Sequence, residues 1–210
     1  MPDETGFRIP DLQKMEFHQE EITVKKSRFI ASVGHVQSVD EAREFITFIS
    51  NQYADARHNC YAFNAGPPGD SAYVGMSDDG EPHGTAGSPM LNVILHSDIG
   101  EICVVVTRYF GGILLGTGGL TKAYQDSVKA ALETLKTTIK QKFSTFQMII
   151  DHKYSNLLMQ LKSRYKFKVP DTIYSDRITV RIVIDEHKKD TFLEEMMNST
   201  KGTILVIEDE

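Results

Sequence analysis

Hydrophobic and polar positions change period several times along the chain, and each change marks an element. Residues 22–36 read as strand, with a hairpin turn around Lys25-Lys26-Ser27. Ser38 stands as an N-cap with Glu41 three residues on, the capping-box spacing. Behind it Ala42, Phe45, Ile46, Ile49 and Tyr53 share one helix face, which predicts a helix lying on a sheet and wet on its other side. Residues 58–65 and 72–76 read as strands, broken by Gly66-Pro67-Pro68-Gly69-Asp70. Asp78-Asp79-Gly80-Glu81-Pro82 reads as a turn, and a helix starts near Thr85 or Ser88 with Pro89 in its first turn. Residues 101–109 carry an unbroken Cys-Val-Val-Val core, which predicts a central strand buried on both faces. A helix over 120–136 gathers Leu120, Ala123, Tyr124, Ala131 and Leu135 near one face.

The rhythm differs in the second half. Phe146, Met148 and Ile150 alternate in a strand, and a short helix runs from Ser155 to about Lys162. Residues 166–173 and 178–184 read as strands, and 187–198 as a helix that Gly202 can end. A last strand covers 203–207. The order β-α-β-β-α-β is the split βαβ of the ferredoxin-like fold. The chain therefore divides into an N-terminal arm over 1–17, a first domain over 18–137 and a ferredoxin-like domain over 138–210, with the boundary near Thr137-Thr138.

Charge narrows the partners. The net charge is −6; residues 1–137 carry 11 Lys+Arg against 18 Asp+Glu, and residues 138–210 carry 12 against 11. An acidic first half argues against broad, charge-driven nucleic-acid binding and leaves room for a local basic patch. No apolar run reaches the ~20 residues a membrane span needs. The first 13 residues are polar, without the apolar stretch of a signal peptide, so the expected location is cytoplasmic. Cys60 and Cys103 are then expected as reduced, buried thiols.

The densest chemical signal is the segment after the central strand. Gly111, Gly112, Gly116, Gly118 and Gly119 are five glycines within nine residues, flanked by Arg108 and Lys122 and leading into a helix. Such a backbone can approach an anion, which the N–H groups and dipole of a helix start favour. The same glycines can serve only tight turns and close helix–sheet packing. The segment is neither a Walker A loop, since Thr117 stands where the lysine belongs, nor G-x-G-x-x-G.

Asp78, Asp79 and Glu81, with His83 behind them, could hold Mg²⁺ weakly through Asp78 and Asp79, but Asp-Gly is also ordinary turn chemistry. Arg57 and His58 precede Cys60. His58 and Cys60 share a strand face, but no four-ligand zinc set is visible. Lys25, Lys26 and Arg28 cluster at one turn. Arg164, Lys166 and Lys168 line one edge if extended, where lysines also guard against edge-to-edge pairing.

Four segments together resemble the YigZ/IMPACT family: residues 26–30 (Lys-Ser-Arg-Phe-Ile); residues 58–63 (His-Asn-Cys-Tyr-Ala-Phe); residues 78–89, from Asp78 to Pro89; and residues 107–120, from Thr107 to Leu120. The resemblance covers roughly 18–135. It implies an α/β (α+β) protein: a ribosomal protein S5 domain 2-like first domain and a ferredoxin-like second domain similar to those of translocation factors. Eukaryotic members regulate translation by binding an activator of a kinase that phosphorylates an initiation factor. They carry a further domain that this chain lacks. No established enzymatic activity comes with the family. The S5-like fold also houses small-molecule kinases, and Gly116–Ala123 is loosely similar to their phosphate loop. Thr121-Lys122 replaces the serine pair usual there.

These readings lead to a cytoplasmic regulatory binding protein linked to translation, contacting RNA, the ribosome or a translation-associated protein. Arg108, Gly111, Gly112, Gly116, Gly118, Gly119 and Lys122 are expected to hold an anion. Arg57, His58, Asp78, Asp79, Glu81 and His83 are expected to form the facing rim. No catalytic residue, metal or cofactor is assigned. The alternative is an enzyme handling a nucleotide or phosphate ester through the glycine loop, with Mg²⁺ at the acidic turn.

Overall fold

The computed structural model describes residues 6–208. Phe7–Lys140 forms one unit and the chain from Gln141 onward forms the second. The first unit contains β1 (Gly6–Pro10), β2 (Phe17–Val24), β3 (Ser27–His35), α1 (Val39–Gln52), β4 (His58–Asn64), β5 (Val74–Ser77), α2 (Gly87–Leu95), β6 (Ile102–Tyr109), α3 (Gly116–Thr134) and β7 (Thr137–Gln141). The second contains β8 (Phe143–Ile150), α4 (Ser155–Tyr165), β9 (Thr172–Tyr174), β10 (Ile178–Asp185), α5 (Glu186–Thr200) and β11 (Leu205–Glu208). The class is mixed α and β with antiparallel sheets, an α+β protein.

Five strands of the first unit pair in the order β2-β3-β6-β4-β5, every pair antiparallel. The unbroken apolar run of β6 has a simple cause. Ile102, Val104 and Val106 enter the core under α2 and α3, while Cys103 and Val105 enter the core under α1. Helices cover both faces, so an antiparallel strand loses the one-sided alternation it has when one face is wet. Cys60 and Cys103 fall in these two separate cores, and both are free and buried.

Ser38 caps α1 as expected, its Oγ accepting from the Glu41 N–H at 3.2 Å. The Glu41 carboxylate accepts from the Gln37 N–H at 2.7 Å, one residue before the usual capping-box partner.

Pairing with distant strands alters three expectations. Within the segment expected as a loose arm over 1–17, Gly6–Pro10 is strand, while residues 11–16 are loop and turn. β1 pairs with β7, and the Arg8 side chain donates to Thr137 Oγ1 and pairs with Asp98 at 3.0 Å. Local periodicity cannot report a partner 129 residues away. The helix expected over 120–136 begins four residues earlier, at Gly116, so three of the five loop glycines belong to its first turn. The strand expected over 166–173 contracts to Thr172–Tyr174. Lys166 is the left-handed C-cap of α4, φ +57°, which reverses the chain. Arg164 therefore stays on α4, paired with Glu195 at 2.5 Å, and does not line an edge with Lys166 and Lys168.

In the second unit the strands pair as β11-β8-β10-β9, connected β-α-β-β-α-β. Phe146, Met148 and Ile150 of β8 and Ile178, Val180, Ile182 and Ile184 of β10 point to the helix side, where Leu158, Leu161, Phe192 and Met196 close the core.

α1 sits close to its sheet because Gly34 leaves room for it. A Cβ at Gly34 would lie 2.6 Å from the buried Phe45 ring. Gly34→Val is expected to cost about 1–3 kcal/mol through overpacking. Urea denaturation should show a lower midpoint at an unchanged slope.

Candidate functional site

The strand directions bring the signature segments to one end of the first unit. Arg28 faces Tyr109, so the β2–β3 turn lies where β6 ends. His58 faces Arg108, so β4 starts at the same end. β5 runs toward it, and the start of α2 packs on Ser77, where a Cβ at Gly87 would come within 2.9 Å of the backbone. The turns at 25–26, 78–86 and 110–115 and the first turns of α2 and α3 therefore meet there.

Inside this end is a buried polar cluster. Arg108 Nη1 donates to Glu81 Oε1 at 2.6 Å, and the same oxygen accepts from the Tyr124 hydroxyl at 2.9 Å. Arg108 and Glu81 are 7% and 8% exposed, so both charges are withdrawn from water and neutralise each other. The Arg108 guanidinium carbon lies 5.6 Å from the Phe29 ring centre and 5.7 Å from that of Phe110, and Phe29 meets Tyr124 edge to face. Arg108 Nε has no hydrogen-bond partner among the described residues.

Cys60 Sγ lies 2.9 Å from the Asp78 carbonyl and 3.3 Å from the Tyr124 hydroxyl. Burial, above all, pushes the Cys60 thiol up to about 12, with nearby Glu81, Asp79 and Asp78 adding to it. It is a packed thiol rather than a nucleophile. Burial likewise pushes the Tyr124 phenol far up.

Asp78 and Asp79 brace the acidic turn. Asp79 and Gly80 both have positive φ, +41° and +82°, and the Glu81 N–H donates to the Asp78 carbonyl at 2.9 Å, a type I′ geometry. Asp78 Oδ1 accepts from the N–H groups of Ala86 and Gly87 at 3.0 and 2.9 Å, and Oδ2 from that of Gly84 at 2.8 Å. It thereby caps α2 from a remote position, where the adjacent Ala86 supplies no side-chain cap. Burial opposes its ionisation, but the three N–H donors and His83 outweigh that and hold the carboxyl below its usual range. Asp79 Oδ2 accepts from the Asn59 N–H at 2.6 Å, and the Asp79 carbonyl accepts from His58 Nδ1 at 2.7 Å. The carboxylates considered for Mg²⁺ are thus engaged by backbone donors. Among the described residues no group of three or more His, Cys, Asp and Glu side chains could hold a metal.

The outer surface is different. Lys25 and Lys26 are exposed and occupy a two-residue turn with φ +46° and +66°. Non-glycine residues there are strained. Gly111 presses on this turn: a Cβ on it would fall 2.0 Å from the Lys26 carbonyl carbon, and its N–H donates to Ser27 Oγ at 3.2 Å. Gly112 and Gly116 have φ of +84° and +71° and face open space. The N-terminus of α3 has no side-chain cap, and Gly116, Thr117 and Gly118 are exposed on it. Phe110, Ile113 and Leu114 project from the loop. Lys122 is exposed and pairs with Asp126 at 3.1 Å. Arg57 and His83 are exposed at the same end.

The residues expected to hold an anion therefore separate. Gly112, Gly116, Gly118 and Lys122 are exposed and Gly111 and Gly119 half-buried, while Arg108 is beneath them, committed to Glu81. The expected rim separates too: Glu81 is interior and Asp78 is a cap, whereas Asp79, His83 and Arg57 face solvent. Tyr124 was legible only as a core position, since its hydroxyl partners come from distant turns. Phe110, Ile113 and Leu114 could have been flagged as apolar residues outside any periodic element.

Two tests follow from this geometry. Arg108→Met is expected to cost about 3–5 kcal/mol, because it leaves the Glu81 carboxylate buried and unpaired. The double variant Arg108→Met/Glu81→Leu should cost less than the sum of the two single changes, in a urea double-mutant cycle. Asp78→Ala should cost about 1–2 kcal/mol as a lost cap. Because the folded Asp78 pKa is depressed, its contribution is full above the unfolded value of 3.8 and is lost as pH falls through the lower folded value. Wild type and Asp78→Ala should therefore converge in stability below pH 3.8.

Residues 25–132 match the model of the Impact N-terminal domain. The chain is 39% identical over 183 residues to an IMPACT family member of Haemophilus influenzae, covering 87% of this chain and 89% of that one. It is 38% identical to the IMPACT family member YigZ of Escherichia coli, covering 88% of this chain and 90% of the other. It superposes on the crystal structure of a hypothetical protein with a TM-score of 0.67 at 35% identity, covering 98% of each chain. With its signature segments gathered at one end of the first unit, and with these relatives matched over most of their length, the chain belongs to the IMPACT family.

Proposed function

We propose that this chain is a cytoplasmic regulatory binding protein linked to translation, and that it contacts RNA, the ribosome or a translation-associated protein through the β6 end of its first unit. Family membership supports the link to translation. In this reading the first unit is an S5 domain 2-like domain. The second is ferredoxin-like, which its strand order β11-β8-β10-β9 supports.

The observation that carries the binding face is the exposed Lys25-Lys26 turn, pressed by Gly111 against the loop that opens the uncapped helix α3. Free N–H groups of a helix start and two nearby ammonium groups suit a phosphate or a carboxylate. Arg108 has a supporting role: paired with Glu81 and stacked between Phe29 and Phe110, it holds the loop rather than the ligand. No helix among the described residues is long and apolar enough to cross a membrane, and a membrane role forms no part of the proposal.

A variant carrying Lys25→Glu, Lys26→Glu and Lys122→Glu changes only exposed side chains. It should stay folded, with a slightly lower thermal midpoint because the glutamate replacing Lys122 would face Asp126 one helix turn away, and lose at least about tenfold in co-sedimentation with ribosomes or RNA. Wild-type binding should weaken with salt at a log–log slope of about −1 to −3, reflecting few contacts. Unchanged co-sedimentation by the folded variant would remove the basis for the proposal.

A further inference from the structure

The loop between β6 and α3 exposes more apolar surface than its own fold uses. Phe110, Ile113 and Leu114 are 55%, 42% and 83% exposed within five residues. Gly118 adds an independent sign. Its φ lies outside the left-handed range, and a Cβ there would meet nothing within 4 Å. It also sits in the first turn of a helix, where glycine gives up more backbone freedom than alanine does. No neighbour among the described residues calls for glycine at this position, whereas Gly111, Gly112 and Gly116 each have a steric or conformational reason. A backbone passing close over the first turn of α3 supplies the missing reason.

Charge indicates what passes there. The chain is net acidic, but this edge presents Lys25 and Lys26. Two acids beside this edge are paired: Glu21 accepts from Arg28 Nε and Nη2, each at 2.8 Å, and Asp126 pairs with Lys122 at 3.1 Å. We infer that the loop docks an acidic polypeptide segment carrying an apolar anchor. The anchor rests on Phe110 and Leu114, the carboxylates meet Lys25 and Lys26, and the segment's backbone crosses Gly118. This rests on the binding face proposed above and assigns it a polypeptide. Phe110 offers a ring on which one base can stack, but aliphatic Ile113 and Leu114 offer none, so RNA would leave the more exposed part of the apolar loop unused.

The test uses the full chain and fluorescence anisotropy of a labelled glutamate-rich peptide containing leucines. Controls are the same peptide with serine for leucine, an oligouridylate of equal charge, and vesicles of phosphatidylserine and phosphatidylcholine. The leucine peptide should bind, and the serine peptide should bind at least about tenfold more weakly. Leu114→Ser and the pair Lys25→Glu/Lys26→Glu should each weaken the peptide about tenfold at an unchanged thermal midpoint. Gly118→Ala separates structure from docking: it should raise the thermal midpoint and still weaken the peptide. Three results overturn the inference: equal binding of the leucine and serine peptides, tighter binding of oligouridylate or vesicles, or peptide binding unaffected by Gly118→Ala. Oligouridylate or ribosome binding without peptide binding overturns the inference while leaving the proposed function standing. Absence of all binding overturns both.

Discussion

The β6 end of the first unit depends on one buried ion pair, Arg108 with Glu81. Arg108 is the penultimate residue of the central strand, Glu81 closes the acidic turn, and Tyr124 on α3 donates to the same carboxylate oxygen. One oxygen thus joins a strand, a turn and a helix that are far apart in sequence. Such a pair contributes little net stability compared with an apolar substitute, because desolvating two charges offsets their attraction. Its effect is geometric: once buried, either charge strongly disfavours any arrangement that separates it from the other. The rings of Phe29 and Phe110 on the guanidinium extend that constraint to β3 and to the loop after β6.

Around this pair the residues of this end of the first unit divide into inner and outer. The inner residues, Phe29, Cys60, Asp78, Glu81, Arg108 and Tyr124, hold one another or the backbone, with Arg108 Nε left without a hydrogen-bond partner among the described residues. The outer residues, Lys25, Lys26, Phe110, Ile113, Leu114 and the glycines of α3, face solvent with few partners of their own. On this outer side an apolar loop tip and a lysine turn with positive φ lie together, and the proposed binding face rests on them. Strain and exposed apolar surface concentrate where a protein meets something else.

Elements with strong local periodicity were legible in the sequence: α1 with its Ser38 cap, β6 with its apolar run, and the alternating β8 and β10. Elements whose existence depends on a distant partner were not. β1 forms because β7 offers a hydrogen-bonding edge, and nothing in residues 6–10 reports that. The start of α3 was read four residues late because glycines argue against helix locally, while packing of Leu120, Ala123 and Tyr124 carries the helix back to Gly116. The lysine-bearing stretch after α4 was read as extended, but Lys166 takes a left-handed conformation that a propensity argument disfavours.

The candidate site shows the same division. The sequence alone determined which segments carry the chemistry, because glycine density, the Asp-Gly turn and the paired lysines are local features of composition and spacing. The change in the period of the hydrophobic pattern also led to the expectation of a two-part chain. Only the tertiary structure decided which charged groups are available. Arg108 and Lys122 are equivalent cations on paper. One is buried because the strand register places it over Glu81, and the other is exposed because it lies on the outer face of α3. Burial and pairing are set by which strands adjoin, and that information resides in contacts between residues far apart in the chain.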